Sequence, residues 1–382
     1  VAQPQSAEAV AGVLRWAKAN HVAVAARGGG SKQEWGASPR QLDLVMSTSG
    51  LNQVLEHAFD DMTATVEAGC TFADFQRALA EHRQRLALDP LFPERATVGG
   101  VLAANDSGPL RLRFGSLRDL VIGITVALPD GTLARSGGKV VKNVAGYDLP
   151  KLFTGSLGTL GVITQATFRL HPRPAATDTF SVALAGVDAA NQFVLKILDS
   201  TLVPAAVQMR TGRGRPTFVD VRYEGVPEGV ASQMRRTEAL GVERLAAIAD
   251  TWRTGEEFWM RPGPACVGKF SVLPAGIAVA CETIDQLAGD LHLDWLATVQ
   301  ATGIGLLRLE GEPEQLATAV LRWRSRMAAK HGSLVLLHRP EELRSRLDAW
   351  GSGGSALPLM RRVKHQFDPE GILNPGRFVG GI

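Results

Sequence analysis

Glycine is crowded into three short stretches of this chain, each beside a run of alternating apolar residues. They read HVAVAARGGGSKQEWG (21–36), PERATVGGVLAANDSGPLRLRFGSLRDLVIG (93–123) and LFTGSLGTLGVITQATFRL (152–170). Glycine has no Cβ, so its backbone approaches a ligand closely and takes positive φ without strain. A Gly-Gly-Gly turn straight after the strand-like VAVAA suits an anion cradle made of backbone N–H groups. Taken alone, the same turn also reads as a flexible surface loop, and Gly99-Gly100 as a tight packing turn. Only the number and order of such segments narrows the choice.

The flanking residues predict how these loops are presented. Ser6 caps a helix with Val10, Val13, Leu14 and Ala17 at helical spacing, ended by Asn20 and His21 before the first strand. TATVEAG (63–69) alternates like a strand, and Thr71 with Asp74 opens a helix carrying Phe72, Phe75 and Leu79. Gly99 and Gly100, followed by Val101, Ala103 and Ala104, begin a short helix whose free N–H groups suit a phosphate. PDG (129–131) is a turn between two strands. Beyond a linker bracketed by Pro172 and Pro174, strand and helix patterns alternate to SLVLLH (333–338), the signature of an antiparallel α+β sheet. EELRSRLDAW (341–350) reads as helical, with GSGGSA (351–356) as a connecting turn.

Neither nucleotide motif fits its required context. Gly155, Gly158 and Gly161 have the wrong spacing for a dinucleotide fingerprint and precede a strand rather than a helix. GPACVGKF (263–270) has Phe270 where a P-loop needs Ser or Thr.

With 382 residues, 45% hydrophobic and 21% charged, the chain is long enough for two or three domains with real cores. Its net charge is +3, and no Lys/Arg run carries interleaved aromatics, so a nucleic-acid partner is not expected. Cys70, Cys266 and Cys281 are far apart, which argues against a disulfide framework, an iron–sulfur cluster or any metal site and for buried thiols in a reducing cytoplasm. The start VAQPQSAEAV lacks the basic and apolar regions of a signal peptide, and no apolar stretch of about 18 residues occurs.

Together the segments resemble the FAD-binding domain of the vanillyl-alcohol oxidase type. The resemblance rests on Arg27-Gly28-Gly29-Gly30-Ser31-Lys32, then Thr97-Val98-Gly99-Gly100 with Ala103, Ala104, Asn105 and Gly108. It continues through Arg113-Phe114-Gly115, Lys142 to Asp148 (with Gly146 and Tyr147) and LFTGSLGTLGVIT, to the tail KHQFDPEGILNPGRFVGGI with Asn374. Within that superfamily RGGGSK and the terminal NPGRFVGGI are most similar to the FAD-binding E subunits of bacterial glycolate oxidases. The resemblance implies an α+β fold: a two-part FAD-binding domain over 1–172 divided near residue 60, an antiparallel α+β cap over 173–344, and a C-terminal return over 345–382.

It also implies functional roles. Residues 28–31 and 97–100 are expected to donate amides to the FAD pyrophosphate. Gly158, Gly161, Val162 and Ile163 are expected beside the flavin. Many relatives carry a histidine after the glycines that bonds covalently to the flavin 8α-methyl group. Here Ser31 stands in its place, which implies non-covalent FAD. Related D-2-hydroxy-acid dehydrogenases carry an H-x-G-D-G-N-x-H segment; this chain offers HGSLVLLH, with His331 and His338 but no Gly-Asp-Gly-Asn. His338 and Arg222 are weak catalytic candidates, with Arg210 and Arg261 as further carboxylate clamps. The resemblance implies an FAD-holding subunit of a glycolate (2-hydroxy acid) oxidase, partnered by a paralogous catalytic FAD subunit and an iron–sulfur subunit, reaching a membrane only through that assembly. The other reading is a self-sufficient FAD-dependent D-2-hydroxy-acid dehydrogenase.

Overall fold

Ser6 starts the first helix, Ala7–Ala19, its hydroxyl accepting the Ala9 amide at 3.1 Å. Val10 and Leu14 on the inner face are fully buried, each contributing about 1.5–3 kcal/mol. The computed structural model describes residues 1–138, 147–246 and 251–382. These group into two units, one of residues 1–108, 114–173 and 352–382, the other of residues 109–113 and 174–351.

In the first unit the helix leads to strand Val24–Arg27, which pairs in parallel with Leu44–Ser47. The chain's tail closes this layer: Val24 N–H donates to Ile372 O and Asn374 N–H to Val24 O, at 2.8 and 2.9 Å. Ile372 and Leu373 thereby join a core with Val10, Leu14, Met46 and Leu51. A five-stranded antiparallel sheet follows, in the order Val54–Ala58, Thr63–Glu67, Val162–Arg169, Val121–Ala127, Leu133–Gly137. Helix Phe72–Ala80 packs on it through Phe75 and Leu79. The Thr71 hydroxyl caps that helix, accepting from Asp74 N and donating to its carboxylate. The short helix Val98–Ala104 starts at Thr97 and ends on Asn105 at φ 47°.

The second unit is a seven-stranded antiparallel sheet. Its order is Ala176–Leu184, Thr217–Gly225, Ala206–Gly212, Asp294–Gln300, Ile304–Glu310, Ala265–Ser271, Ser333–His338. Helices Val187–Leu198, Pro227–Glu238, Ile277–Asp290 and Pro313–Ala328 share its core through Phe193, Met234, Cys281 and Trp323. Strand alternation sends Ser181, Gln208, Arg210, Asp220 and Arg308 to the opposite face. The helix expected over 341–350 is reduced to a single 3-10 turn, Glu341–Leu343. Buried Leu343, Leu347 and Ala349 enter the core there, and the Trp350 amide donates to Asp348 Oδ2 at 2.9 Å instead of to the carbonyl four residues back, as a continuous helix would require.

Candidate functional site

The first unit holds a cleft of about 680 Å³, counted out to its mouth. Its walls come from the three glycine-rich segments: Gly28 to Gln33, then Thr97, Gly99, Gly100, Ala103 and Ala104, then Leu157, Gly158, Gly161, Val162 and Ile163. Ala26, Thr48, Ala68 and Arg377 complete it.

Two of these glycines are required by close approach. A Cβ on Gly28 would sit 2.0 Å from Thr97 Oγ1, and one on Gly29 would sit 1.6 Å from the Arg95 carbonyl. The first loop is thus pressed against the second. The two loops differ in what their amides do. Val98 N–H donates to Cys70 O at 2.9 Å, Gly99 N–H to Ala68 O at 2.8 Å, and Gly100 N–H to Thr97 Oγ1 at 3.3 Å. Residues 97–100 were expected to donate amides to a pyrophosphate; the amides at 98, 99 and 100 have partners within the protein. Among the described residues no backbone acceptor takes the amides of Gly28, Gly29, Gly30 or Ser31. These four remain available to an anion.

Lys32 is buried, its ammonium 3.1 Å from Asp106 Oδ2 and donating to Leu91 O at 2.9 Å. Its charge is spent on fixing the loop. Gly158, at φ 70°, is held by the tail: Asn374 Nδ2 donates to Leu157 O at 2.9 Å and lies 3.4 Å from Gly158 O. Asn374 Oδ1 is buried and has no hydrogen-bond partner among the described residues.

Other expected site residues lie off the cleft wall. Arg27 is exposed, with its guanidinium against Gly30. Val98 is core, and Asn105 caps its helix. Gly108 abuts Asp89, and Gly115, at φ 87°, abuts Asp119. Arg113 groups with the second unit, its Nη1 3.4 Å from Val203 O. Tyr147 is 90% exposed. Lys142 and Gly146 fall outside the described residues. The sequence reading missed Arg377 and Thr48 as wall residues. Arg377 was in view within NPGRFVGGI, but nothing local in that string says which loop a side chain over 340 residues downstream will meet.

In the second unit the candidate clamps are occupied. Arg210 forks onto the fully buried Asp220, Nε to Oδ2 at 2.6 Å and Nη2 to Oδ1 at 3.1 Å. Ser181 and Gln208 donate to the same carboxylate. Arg261 Nε meets Glu310 Oε1 at 2.7 Å, an oxygen shared with Arg308, and that pairing raises the Arg261 pKa. Arg222 Nε lies 3.0 Å from Glu224 Oε1, though its N–H is not aimed for a hydrogen bond. His338 is half-buried opposite Val267 at a register shift, and His331 is exposed at φ 59°. The three cysteines are free and buried, and burial pushes Cys70 up to about 11 and Cys266 and Cys281 to about 12, so none is a ready nucleophile. No helix among the described residues is long and apolar enough to cross a membrane.

Comparison with known proteins gives this geometry its context. Residues 1–137 match the FAD binding domain model, and residues 349–378 match the C-terminal domain of FAD linked oxidases. The chain is 28% identical to glycolate oxidase subunit GlcD of Bacillus subtilis, covering 99% of this chain and 88% of that protein. It is 33% identical to a D-lactate dehydrogenase of Archaeoglobus fulgidus, covering 99% and 91%. Among solved structures, alkyldihydroxyacetonephosphate synthase superposes with a TM-score of 0.75 at 19% identity, over 98% of this chain and 76% of that one. A 4-ethylphenol oxidase from Gulosibacter chungangensis gives 0.76 at 16%, over 98% and 88%. The α+β architecture is therefore that of the vanillyl-alcohol oxidase type, and the chain belongs to the FAD-linked oxidases, oxidoreductases whose cofactor is FAD.

Proposed function

We propose that the chain is the FAD-holding subunit of a glycolate-type 2-hydroxy-acid oxidase, working with a paralogous FAD-binding subunit and an iron–sulfur subunit. The cleft suits the cofactor: the Gly28 to Ser31 turn offers unspent amides to a diphosphate, with Gly158, Gly161, Val162 and Ile163 along the opposite wall for the flavin. FAD, when bound, supplies a two-electron acceptor for an alcohol carbon beside a carboxylate. Ser31 cannot form the bond a histidine would make to the flavin, so attachment is by hydrogen bonds and packing.

The observation that carries the subunit reading lies in the second unit, where Arg210, Arg222 and Arg261 each meet a carboxylate of this chain. A substrate carboxylate would have to displace one of them, so a partner is the better source of the clamp. The B. subtilis relative is named as a subunit, which supports the same view. The full-length similarity to a D-lactate dehydrogenase favours the second reading, a self-sufficient D-2-hydroxy-acid dehydrogenase.

The test is dye reduction with glycolate or D-lactate, by the purified chain and by the chain reconstituted with its partners. Turnover is expected only in the assembly, and acid precipitation should leave all flavin in the supernatant. Full turnover by the isolated chain would select the dehydrogenase instead, and a yellow pellet would refute non-covalent attachment.

A further inference from the structure

The third wall of the cleft holds its backbone strain. Leu157 and Gly158 are consecutive left-handed residues, at φ 51° and 70°, and both line the cleft. Glycine adopts this conformation freely, but in leucine the Cβ crowds its own backbone. Such a residue persists only where its surroundings impose the conformation, and such residues gather at ligand clamps. Two contacts impose it here. The Leu157 amide donates to Ala103 O at 2.9 Å, near the end of helix Val98–Ala104. From the tail, Asn374 Nδ2 donates to Leu157 O at 2.9 Å and to Gly158 O at 3.4 Å. Asn374 is itself left-handed, at φ 43°, and its own N–H is tied to Val24 O at 2.9 Å. Two facing carbonyls fix which end of the side-chain amide meets the turn. The other end, Oδ1, is buried and has no partner among the described residues. A buried acceptor left unpaired costs stability, so the residue serves here as a donor. With both carbonyls of the turn held by the tail, the Gly158 amide is left over: among the described residues no backbone acceptor takes it.

Resting on the reading of the cleft as the FAD site, we propose that Asn374 is a positioning residue for the flavin half of the cofactor. It holds Leu157 and Gly158 in their left-handed turn, which keeps the Gly158 N–H as a donor for an acceptor atom of the flavin ring. Asn374 acts through the turn and does not itself touch the cofactor. The adenosine diphosphate half lies against the Gly28–Ser31 turn and is independent of this clamp. The clamp therefore discriminates between the two halves of one ligand, which a residue that merely supports the fold would not do.

The experiment titrates FAD and ADP into apoprotein of the wild type, Asn374→Gly, Leu157→Gly, the double variant and Gly100→Val, and records the thermal midpoint of each apoprotein. Glycine at 374 keeps the left-handed backbone and deletes the amide. Asn374→Gly is expected to weaken FAD about tenfold or more and to leave ADP within about twofold. In the Leu157→Gly background the turn carries no strain for the clamp to oppose, so the same change should cost FAD less than about threefold. Unchanged FAD affinity in Asn374→Gly, equal FAD losses in both backgrounds, or a parallel loss of ADP would overturn the proposal. Normal FAD binding by Gly100→Val as well as by Asn374→Gly would overturn the reading of the cleft itself. A loss confined to Gly100→Val would remove only the role of Asn374. Should Asn374→Gly not fold, amide exchange of the wild-type chain decides. FAD should slow exchange at Gly158 and ADP should not, while both slow residues 28–31. No slowing by FAD at Gly158, or the same slowing by ADP, would overturn the proposal.

Discussion

At the scale of single residues, the two glycine loops make opposite demands on substitution. Gly29 faces the Arg95 carbonyl at a distance that no Cβ can occupy, so Gly29→Val must displace backbone and should cost about 1–3 kcal/mol or more. A Cβ on Gly100 meets only Thr97 Oγ1, at 3.2 Å, and its branches would extend into the cleft. Gly100→Val should therefore keep the apoprotein's thermal midpoint within a few degrees while lowering FAD affinity at least tenfold. Flavin titration beside calorimetry separates the two effects. A folded Gly100→Val protein with normal flavin content would put the diphosphate elsewhere. The glycines and their crowding were legible in the sequence, because three such segments recur in order beside strand-like runs. What their amides do was not legible. Whether Gly99 N–H is free depends on Ala68 O, a contact between segments 31 residues apart. The arginines follow the same rule: Arg210 reaches Asp220 through a strand pairing that sets Arg210 opposite Phe218, a register that composition does not encode.

At the scale of elements, the tail helix Leu357–Phe367 and the loop after it act as a strap on the cleft's third wall. Lys364 is buried and donates to Thr159 O at 2.8 Å, Leu373 O at 3.0 Å and Asp368 Oδ2 at 2.6 Å. Asp368 in turn accepts the Ile372 and Leu373 amides. Burial lowers the Lys364 pKa while Asp368 opposes the shift, so the pair is tightly coupled. Lys364→Met leaves the carboxylate buried without its cation, and breaking such a pair by one partner costs about 3–5 kcal/mol. The urea midpoint of the first unit should fall accordingly; an unchanged midpoint would mean that the strap contributes nothing. Local start signals made many elements readable, since Ser6, Thr71 and Thr97 each act within three residues. The segment 341–350 was misread for the converse reason. Its apolar spacing is helical, but Asp348 accepts the Trp350 and Gly351 amides and turns the chain, while Ala349 answers a strand.

At the scale of the whole molecule, the chain builds separate apolar cores from an interrupted sequence. One pair of clusters, around Phe75 and Phe168 and around Leu14 and Leu373, belongs to the first unit; the cluster of Phe180, Trp295 and Trp323 belongs to the second. No aligned string announces this division, because the tail from Ser352 rejoins residues near the start only through contacts such as Val24 with Leu373. Separate cores imply separate cooperative units, and the cleft walls all lie in the first. Calorimetry of the apoprotein should then resolve two transitions. A ligand that binds only the native cleft stabilises it by RT ln(1 + [L]/Kd), about 2.7 kcal/mol at a hundredfold excess over Kd. For a unit of this size that corresponds to a rise of about 5–10 °C. FAD should move one transition by that amount and leave the other within about 1 °C. If both transitions rise together, the second unit takes part in holding the cofactor, and the assignment of the whole binding energy to the glycine-lined cleft fails.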